Sequence, residues 1–152
     1  MAIPKFVNLS SDANTALILN LAGTIKSANS LVYSKSVIAG NQEKEKEQEN
    51  SPYVLNSTGE PIYINKGYVV AEWTDALENL LDIDAVHVRE EDSSKWSYRA
   101  TLNLETLSGE IAFYLPGEVE AGSNCNVVYY NNKEEDSETT GYMYLEVDTE
   151  DC

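Results

Sequence analysis

The sequence predicts a mainly β fold: a single-domain antiparallel β-sandwich or partly open barrel with one short helix at about residues 74–82. Short runs rich in Val, Ile, Leu and Tyr alternate with turn-forming clusters along most of the chain. The aromatic residues are ten Tyr, two Trp and two Phe, and tyrosine is typical of half-buried strand positions. A length of 152 residues, 42% of them hydrophobic, fits one domain spanning 1–152 with one core.

The first forty residues are interpreted as an arm followed by two strands. Residues 1–10 are expected to form an extended N-terminal arm. Residues 15–22 alternate in polarity, with Leu17, Leu19 and Leu21 on one face, and 30–39 carry a second apolar run. Residues 40–51 contain no large apolar side chain, which predicts an exposed polar loop within the domain. A short charged helix is the alternative there, because Glu and Lys are good helix formers.

The middle of the chain predicts three short strands and then the helix. Residues 53–55 and 62–64 flank a turn signal at 57–61, and 68–73 follow a second turn. Thr74 or Asp75 can cap a helix, and Asp75 with Glu78 has the spacing of a capping box. Leucines then recur at helical spacing. Such a short helix is stable only when it packs against the rest of the fold.

The second half predicts a series of strands in one sheet. Val86 and Val88 alternate with polar residues, and 96–104 alternate most clearly, with Trp96, Tyr98 and Ala100 directed to one face. A hairpin returns through 110–115, and 126–130 pair with 142–147 across an acidic loop at 131–141.

The charge is strongly acidic and unevenly placed. There are 26 Asp and Glu against 10 Lys and Arg, a net charge of −16. Residues 101–152 hold twelve acids and the single base Lys133. This charge argues against direct binding to nucleic acid or to anionic membranes, because both need clustered Lys and Arg. No run approaches the ~20 apolar residues of a membrane span, and the start has no signal-peptide pattern, which predicts a cytoplasmic protein unless the chain is viral.

No catalytic constellation is recognisable, so neither an enzyme activity nor a cofactor is predicted. A Ser or Cys nucleophile needs a base, and the single histidine, His87, is interpreted as a surface residue of a strand. Phosphate-binding glycine loops and zinc-spaced cysteines are missing from the sequence. Cys125 is expected to be a buried strand thiol and Cys152 a loose terminal thiol.

Acidic pairs give the candidates for a metal site. Asp82 and Asp84 lie two residues apart after the predicted helix, so in an extended segment both carboxylates point the same way. Such a pair could contribute to a calcium site, which takes several oxygen ligands. The alternative is a solvated run of charge, which also applies to the acidic clusters at 134–138 and 148–151.

A resemblance to a known family rests on the start Met1–Leu9, the segment Thr15–Asn20, the alternation of strands and turns, and the acidic, Tyr-rich composition. In these features the chain resembles the small β-rich virion proteins of tailed phages, including capsid decoration (cement) proteins. The resemblance implies binding at symmetric sites of a capsid lattice and a location on the virion surface. The implied partner is a major capsid protein or further copies of the chain. It assigns no functional residue.

Three functions therefore stand as hypotheses. The favoured one is a non-enzymatic structural or interaction protein, because the acids fall in loops and strand ends among Thr, Ser, Asn and Tyr, as on a solvated outer face. The second is an acidic decoy that occupies a DNA-binding protein. The third is a carbohydrate-active or other enzyme, which would need a carboxylate pair in a cleft. Nine of the ten basic residues precede Thr101, so we expect the attachment surface in this less acidic part.

Overall fold

A computed structural model of the protein describes residues 9–45, 50–102, 109–117, 123–131 and 143–152. The chain opens with a helix, α1, at Leu9–Ala39 (31 residues), which is about 46 Å long at 1.5 Å per residue. The strands predicted at 15–22 and 30–39 are therefore wrong. The predicted arm at 1–10 is also wrong at its last two residues, since Leu9 and Ser10 belong to α1; residues 1–8 lie outside the described part.

The helix forms because one row of its residues is apolar at helical spacing. Ile18, Leu21, Ile25 and Val32 are buried and point to the same side. No proline interrupts 9–39. The helix ends at Gly40, whose φ is 72°, with hydrogen bonds from Gly40 N to Val37 O and from Asn41 N to Ser36 O. This pair of bonds is the Schellman motif that ends many helices.

A three-stranded antiparallel sheet follows, formed by β1 (Tyr53–Leu55), β2 (Pro61–Asn65) and β3 (Tyr68–Val69) in that order. The turn between β1 and β2 is held by Asn56, whose Oδ1 accepts from the backbone N of Thr58 and of Glu60. A polar loop is predicted at 40–51, of which the structure describes 40–45 and 50–51. Residues 40–45 form no helix or strand, and 43–45 are exposed. Residues 46–49 lie outside the described part.

The helix predicted at about 74–82 is a single 3-10 turn, Leu77–Asn79. Asp75 adopts a positive φ of 54° and Ala76 is also outside the helical region, so an α-helix cannot begin at 74 or 75. The capping contact does form, since Asp75 N donates to Glu78 Oε1 at 2.8 Å. Leu77 and Leu81 are buried, so the segment packs on the core as a turn rather than as an α-helix.

The second sheet has five strands in sequence order, β4 to β8. They are Ala85–His87, Trp96–Leu102, Gly109–Tyr114, Asn126–Asn131 and Met143–Asp148. The β4–β5 pair is parallel and the other pairs are antiparallel, so the sheet is mixed. Trp96 and Tyr98 pack on the core as predicted, whereas Ala100 is exposed. The acidic loop predicted at 131–141 lies outside the described residues from 132 onward.

The core lies between α1 and the two sheets. Its buried apolar residues come from α1 (Ile25), the first sheet (Ile64) and the second sheet (Phe113 and Val127). The mainly β fold class is confirmed, with two sheets, one helix and no closed barrel among the described residues. The helix, however, is long and lies at the start of the chain.

The C-terminus is attached to the second sheet by a disulfide between Cys125 and Cys152. Cys125 is buried as predicted, but it precedes β7, and the expectations of a strand thiol at Cys125 and a loose thiol at Cys152 are both wrong. The two residues are 27 apart in sequence, and their Cα atoms lie 4.9 Å apart. Two hydrogen bonds hold the same two segments together: Asp151 N donates to the carbonyl of Asn124, and Asn124 N donates to Asp151 Oδ2.

Within the described ranges, none of the helices is both long and apolar enough to cross a bilayer.

Candidate interaction surface

Helix α1 has a polar row on its buried side that fixes its position on the sheets. Asn29 is fully buried, and its Oδ1 accepts a hydrogen bond from the backbone N of Val69 on β3 at 3.0 Å. The carbonyl of Val69 accepts from Tyr129 Oη at 2.6 Å and from Asn131 Nδ2 at 2.7 Å. This polar cluster therefore joins α1, β3 and β7 through one residue, Val69.

The polar cluster stabilises the fold. Asn65 Nδ2 donates to Asn131 Oδ1 at 3.1 Å, so the amide groups satisfy one another inside the core. Burial raises the pKa of Tyr129, which keeps its hydroxyl neutral and able to donate. Among these groups, Asn29 Nδ2 is the buried nitrogen for which the described residues provide no hydrogen-bond partner.

The C-terminal half of α1 is held by the turn between β2 and β3. Gly67 has a φ of 87° and lies so close to the helix that a Cβ there would be 2.7 Å from Tyr33 Cδ2. The ring of Tyr33 in turn stacks on Tyr68, with centroids 4.8 Å apart. Ser36 Oγ donates to the carbonyl of Tyr33 at 2.6 Å, and the carbonyl of Gly67 lies 3.4 Å from the same hydroxyl. These contacts fix which side of α1 faces outward.

The outward side of α1 carries apolar residues around a shallow groove. A row at four-residue spacing, Leu19, Gly23, Ser27 and Leu31, forms the groove, with Asn20 and Thr24 beside it. The groove has a volume of about 540 Å³. Leu19 and Leu31 are 54% and 68% exposed, and the two small residues between them leave the backbone accessible. We refer to this feature as the central groove.

A second apolar surface lies where α1 ends beside β1. Lys35 Nζ donates to the carbonyl of Leu55 at 2.8 Å, which places β1 next to the last turns of the helix. Ile38, three residues further along α1, is 88% exposed. The outer side of β1 adds two more half-exposed apolar residues. We refer to this set as the end patch: Ile38, Tyr53 and Leu55.

Charge separates this side of the molecule from the rest. Between Leu9 and Ala39 there are one acid, Asp12, and two bases, Lys26 and Lys35, giving a net charge of +1. The rest of the chain therefore has a net charge of −17, which with the +1 of the helix gives the total of −16. Exposed apolar side chains with few charged residues among them are typical of protein contact surfaces.

The predicted metal candidates Asp82 and Asp84 are exposed and lie in the segment between the 3-10 turn and β4. Asp84 Oδ2 lies 3.5 Å from Lys95 Nζ, and Lys95 also approaches Asp92 at 3.9 Å. The carboxylate of Asp84 thus already has a cation beside it. In the part of the chain that the structure describes, no three His, Cys, Asp or Glu side chains come together in a metal-binding group.

The structure does not bring His87 and Cys125 together. His87 lies at the end of β4, where its Nδ1 accepts from Arg89 N at 3.2 Å and its ring meets Tyr98 edge to face. Cys125 precedes β7, and β5 and β6 lie between β4 and β7. Three strand spacings amount to about 14 Å. Because Cys125 is also bound in the disulfide, this pair forms no nucleophile and base.

The central groove does not follow from the predicted strands at 15–22 and 30–39, because these place Leu19 and Leu31 on strands. The four-residue repeat of Leu19, Gly23, Ser27 and Leu31 was the available signal, together with the helix-ending Gly40. Comparison of the chain with protein-family models, with curated proteins and with solved structures found no match to any of them.

Proposed function

We propose that this protein is a non-enzymatic structural protein that attaches to a larger protein assembly, and that the assembly is a capsid lattice which the protein decorates. The observation that carries the proposal is the charge separation described above: exposed apolar side chains lie on an almost neutral helix, whereas the other residues carry the whole negative charge. Such a molecule can bind through one side and keep a solvated acidic surface on the other.

The end patch is the proposed attachment surface. Ile38 is 88% exposed and large, and burying a side chain of this kind in a partner contributes about 1.5–3 kcal/mol. Tyr53 adds an aromatic ring, a residue type enriched at protein interfaces. Lys35 beside the patch is suited to an acidic or neutral partner. The patch is also preorganised, because Gly67, Tyr33 and Ser36 fix this end of α1.

The disulfide supports a role outside a reducing cytosol. Disulfides persist where thiols are not kept reduced, as on the surface of a particle released from a cell. It fixes the C-terminus to the second sheet at Cys125, so the acidic surface is held to the folded body.

The test is sedimentation of the native particles that contain the chain, with detection by mass spectrometry. We expect the chain in a megadalton fraction, in a fixed ratio to a shell protein. Purified protein should also rebind to particles from which it has been stripped. Recovery of the chain only at low molecular mass, with no rebinding, would contradict the proposal.

A variant links the binding to the end patch. Ile38→Glu introduces a charge at the most exposed apolar position of the patch, and we expect its rebinding to fall by about tenfold or more, since a buried unpaired charge is costly. Leu17→Glu is the matched control, because Leu17 is an exposed leucine of the same helix outside both surfaces. Equal rebinding of the two variants would show that the end patch is not the attachment surface.

A further inference from the structure

The row of residues that forms the central groove of α1 has the same order of side-chain sizes in both directions along the helix. Leu19, Gly23, Ser27 and Leu31 are spaced by four residues each, so the order is large, small, small, large, with its midpoint at Ile25. Ile25 itself is fully buried, which places the middle of the row opposite the core. A surface with this property can meet an identical copy of itself across a twofold axis.

We propose that the central groove binds the same groove of a second copy, with the two α1 helices antiparallel and crossing at Gly23 and Ser27. In this arrangement each Leu19 lies beside the opposite Leu31, and the small residues face each other at the crossing. Rows at four-residue spacing interdigitate at a crossing angle near −50° in the commonest class of helix packing. This inference rests on the proposed function: the dimer is the unit that would attach to the larger assembly.

Gly23 provides an observation that the single chain does not explain. A glycine inside a helix costs about 0.5–1 kcal/mol relative to alanine. A Cβ at Gly23 would have nothing within 4 Å among the described residues, so the packing of the monomer does not require glycine there. A second helix can approach closely at this point, because small residues let two backbones come together.

The charge distribution favours a second copy at this place over any other part of the surface. Two molecules of net charge −16 repel each other, and the repulsion is weakest where acids are absent. Asp12 is the one acid of α1, and it lies seven residues before Leu19. The outer side of the helix thus lets two copies meet with the acidic sheets on opposite sides of the contact.

The test is the mass of the purified full chain by analytical ultracentrifugation over the micromolar range. We expect twice 16.9 kDa for the wild type. Gly23→Leu fills the crossing point, and we expect it to raise the dimer Kd by about tenfold or more while leaving the helix intact, since leucine is the better helix former. Leu31→Glu should have the same effect. Leu17→Glu, outside the groove, should remain a dimer.

Cross-linking tests the orientation. Because both native cysteines are in the disulfide, a new cysteine is the free thiol of each variant. A mixture of Leu19→Cys and Leu31→Cys should form a disulfide-linked heterodimer, whereas neither variant should cross-link efficiently to itself. Self-cross-linking of Leu19→Cys would indicate parallel helices and overturn the proposal.

Two results separate this inference from the proposed function. A monomeric wild type, or a dimer that Gly23→Leu leaves unchanged, overturns the inference, even if the chain still sediments with large particles. A dimer that Gly23→Leu dissociates supports the inference, even if the chain never associates with a larger assembly.

Discussion

Tyr129 on β7 donates a hydrogen bond of 2.6 Å to the carbonyl of Val69 on β3, and so joins the two sheets inside the core. Both residues are fully buried. Val69 is also the residue to which Asn29 of α1 is bonded, so one strand of two residues connects all three layers. The bond from Val69 N to Asn29 therefore helps to fix which side of α1 faces the core.

Replacing Tyr129 by phenylalanine should destabilise the fold at neutral pH. The Val69 carbonyl keeps its bond from Asn131, so we expect a loss of about 1–2 kcal/mol in the free energy of unfolding. Urea denaturation measures it. Tyr53→Phe is the control, because Tyr53 is 51% exposed, and it should change the free energy by less than about 0.5 kcal/mol. Equal effects of the two changes would contradict the role of the buried hydroxyl.

Alkaline pH should destabilise the protein through the same residue. Burial raises the pKa of Tyr129 in the folded state above the ordinary tyrosine value of 10.0. Below that value the residue is protonated in both states, so its contribution to stability is fully present. As the pH rises further, the unfolded chain ionises first, and the free energy of unfolding falls.

Urea midpoints measured between pH 8 and pH 11 or so test this dependence. The wild type should lose stability steeply above about pH 10, and Tyr129→Phe should lose less over the same interval. Tyr130, whose pKa is also raised, first by burial and then by its bond to Glu146, remains in both proteins. Parallel curves for the two proteins would show that Tyr129 does not cause the alkaline loss.

Gly67→Ala should destabilise the protein more than Gly59→Ala. Both glycines have a positive φ, of 87° and 83°, so both changes carry the cost of a left-handed alanine. At Gly59 the new Cβ meets nothing within 4 Å, whereas at Gly67 it would come 2.7 Å from the Tyr33 ring. We expect the difference to be about 1–3 kcal/mol by urea denaturation. A difference near zero would show that Tyr33 can move despite its stacking on Tyr68.

The strands of the second half could be predicted because their patterning is local. Ile111, Phe113 and Leu115 alternate with less buried residues, and all three are buried in the structure. Likewise, β1 was predicted with its observed bounds, because turn residues stand on both sides of 53–55. In these segments one face is dry and the other wet, which is the condition under which a two-residue period identifies a strand.

Helix α1 could not be predicted in the same way because both of its sides carry apolar residues. Its buried row of Ile18, Leu21 and Ile25 is overlaid by exposed Leu17 and Leu19, and together they imitate the alternation of a strand. Of these two exposed leucines, Leu19 lines the central groove. The exposed apolar residues on the outer side therefore make the helix a candidate for binding and also hide its helical period in the sequence.

Calcium should leave the thermal stability unchanged. Asp84 is beside Lys95, and a calcium ion would have to compete with that ammonium while gaining few further ligands. A ligand that binds only the folded state stabilises it by RT ln(1 + [L]/Kd) and so raises the melting temperature, which makes melting curves with and without millimolar calcium a direct test. A rise that Asp82→Asn and Asp84→Asn abolish would establish the metal site that the sequence predicts.

Breaking the Cys125–Cys152 disulfide should destabilise the protein and free its C-terminus. Closing a loop of this length restricts the unfolded chain by about 3–4 kcal/mol. We expect the paired substitution Cys125→Ser with Cys152→Ser to lose a similar amount in urea, and dithiothreitol to lower the wild type to the same level.

The structure also predicts which part of the chain loses stability when the disulfide is broken. Cys125 packs with Ile18 of α1 and Leu115 after β6, and Asn14 Nδ2 donates to the carbonyl of Cys152 at 3.4 Å. Amide hydrogen exchange should therefore increase in the first half of α1 on reduction, and much less near Tyr33 and Ser36, which the turn at Gly67 holds independently. Two freely alkylated thiols in the native, unreduced protein, with a stability that dithiothreitol does not change, would show that the chain folds without this cross-link.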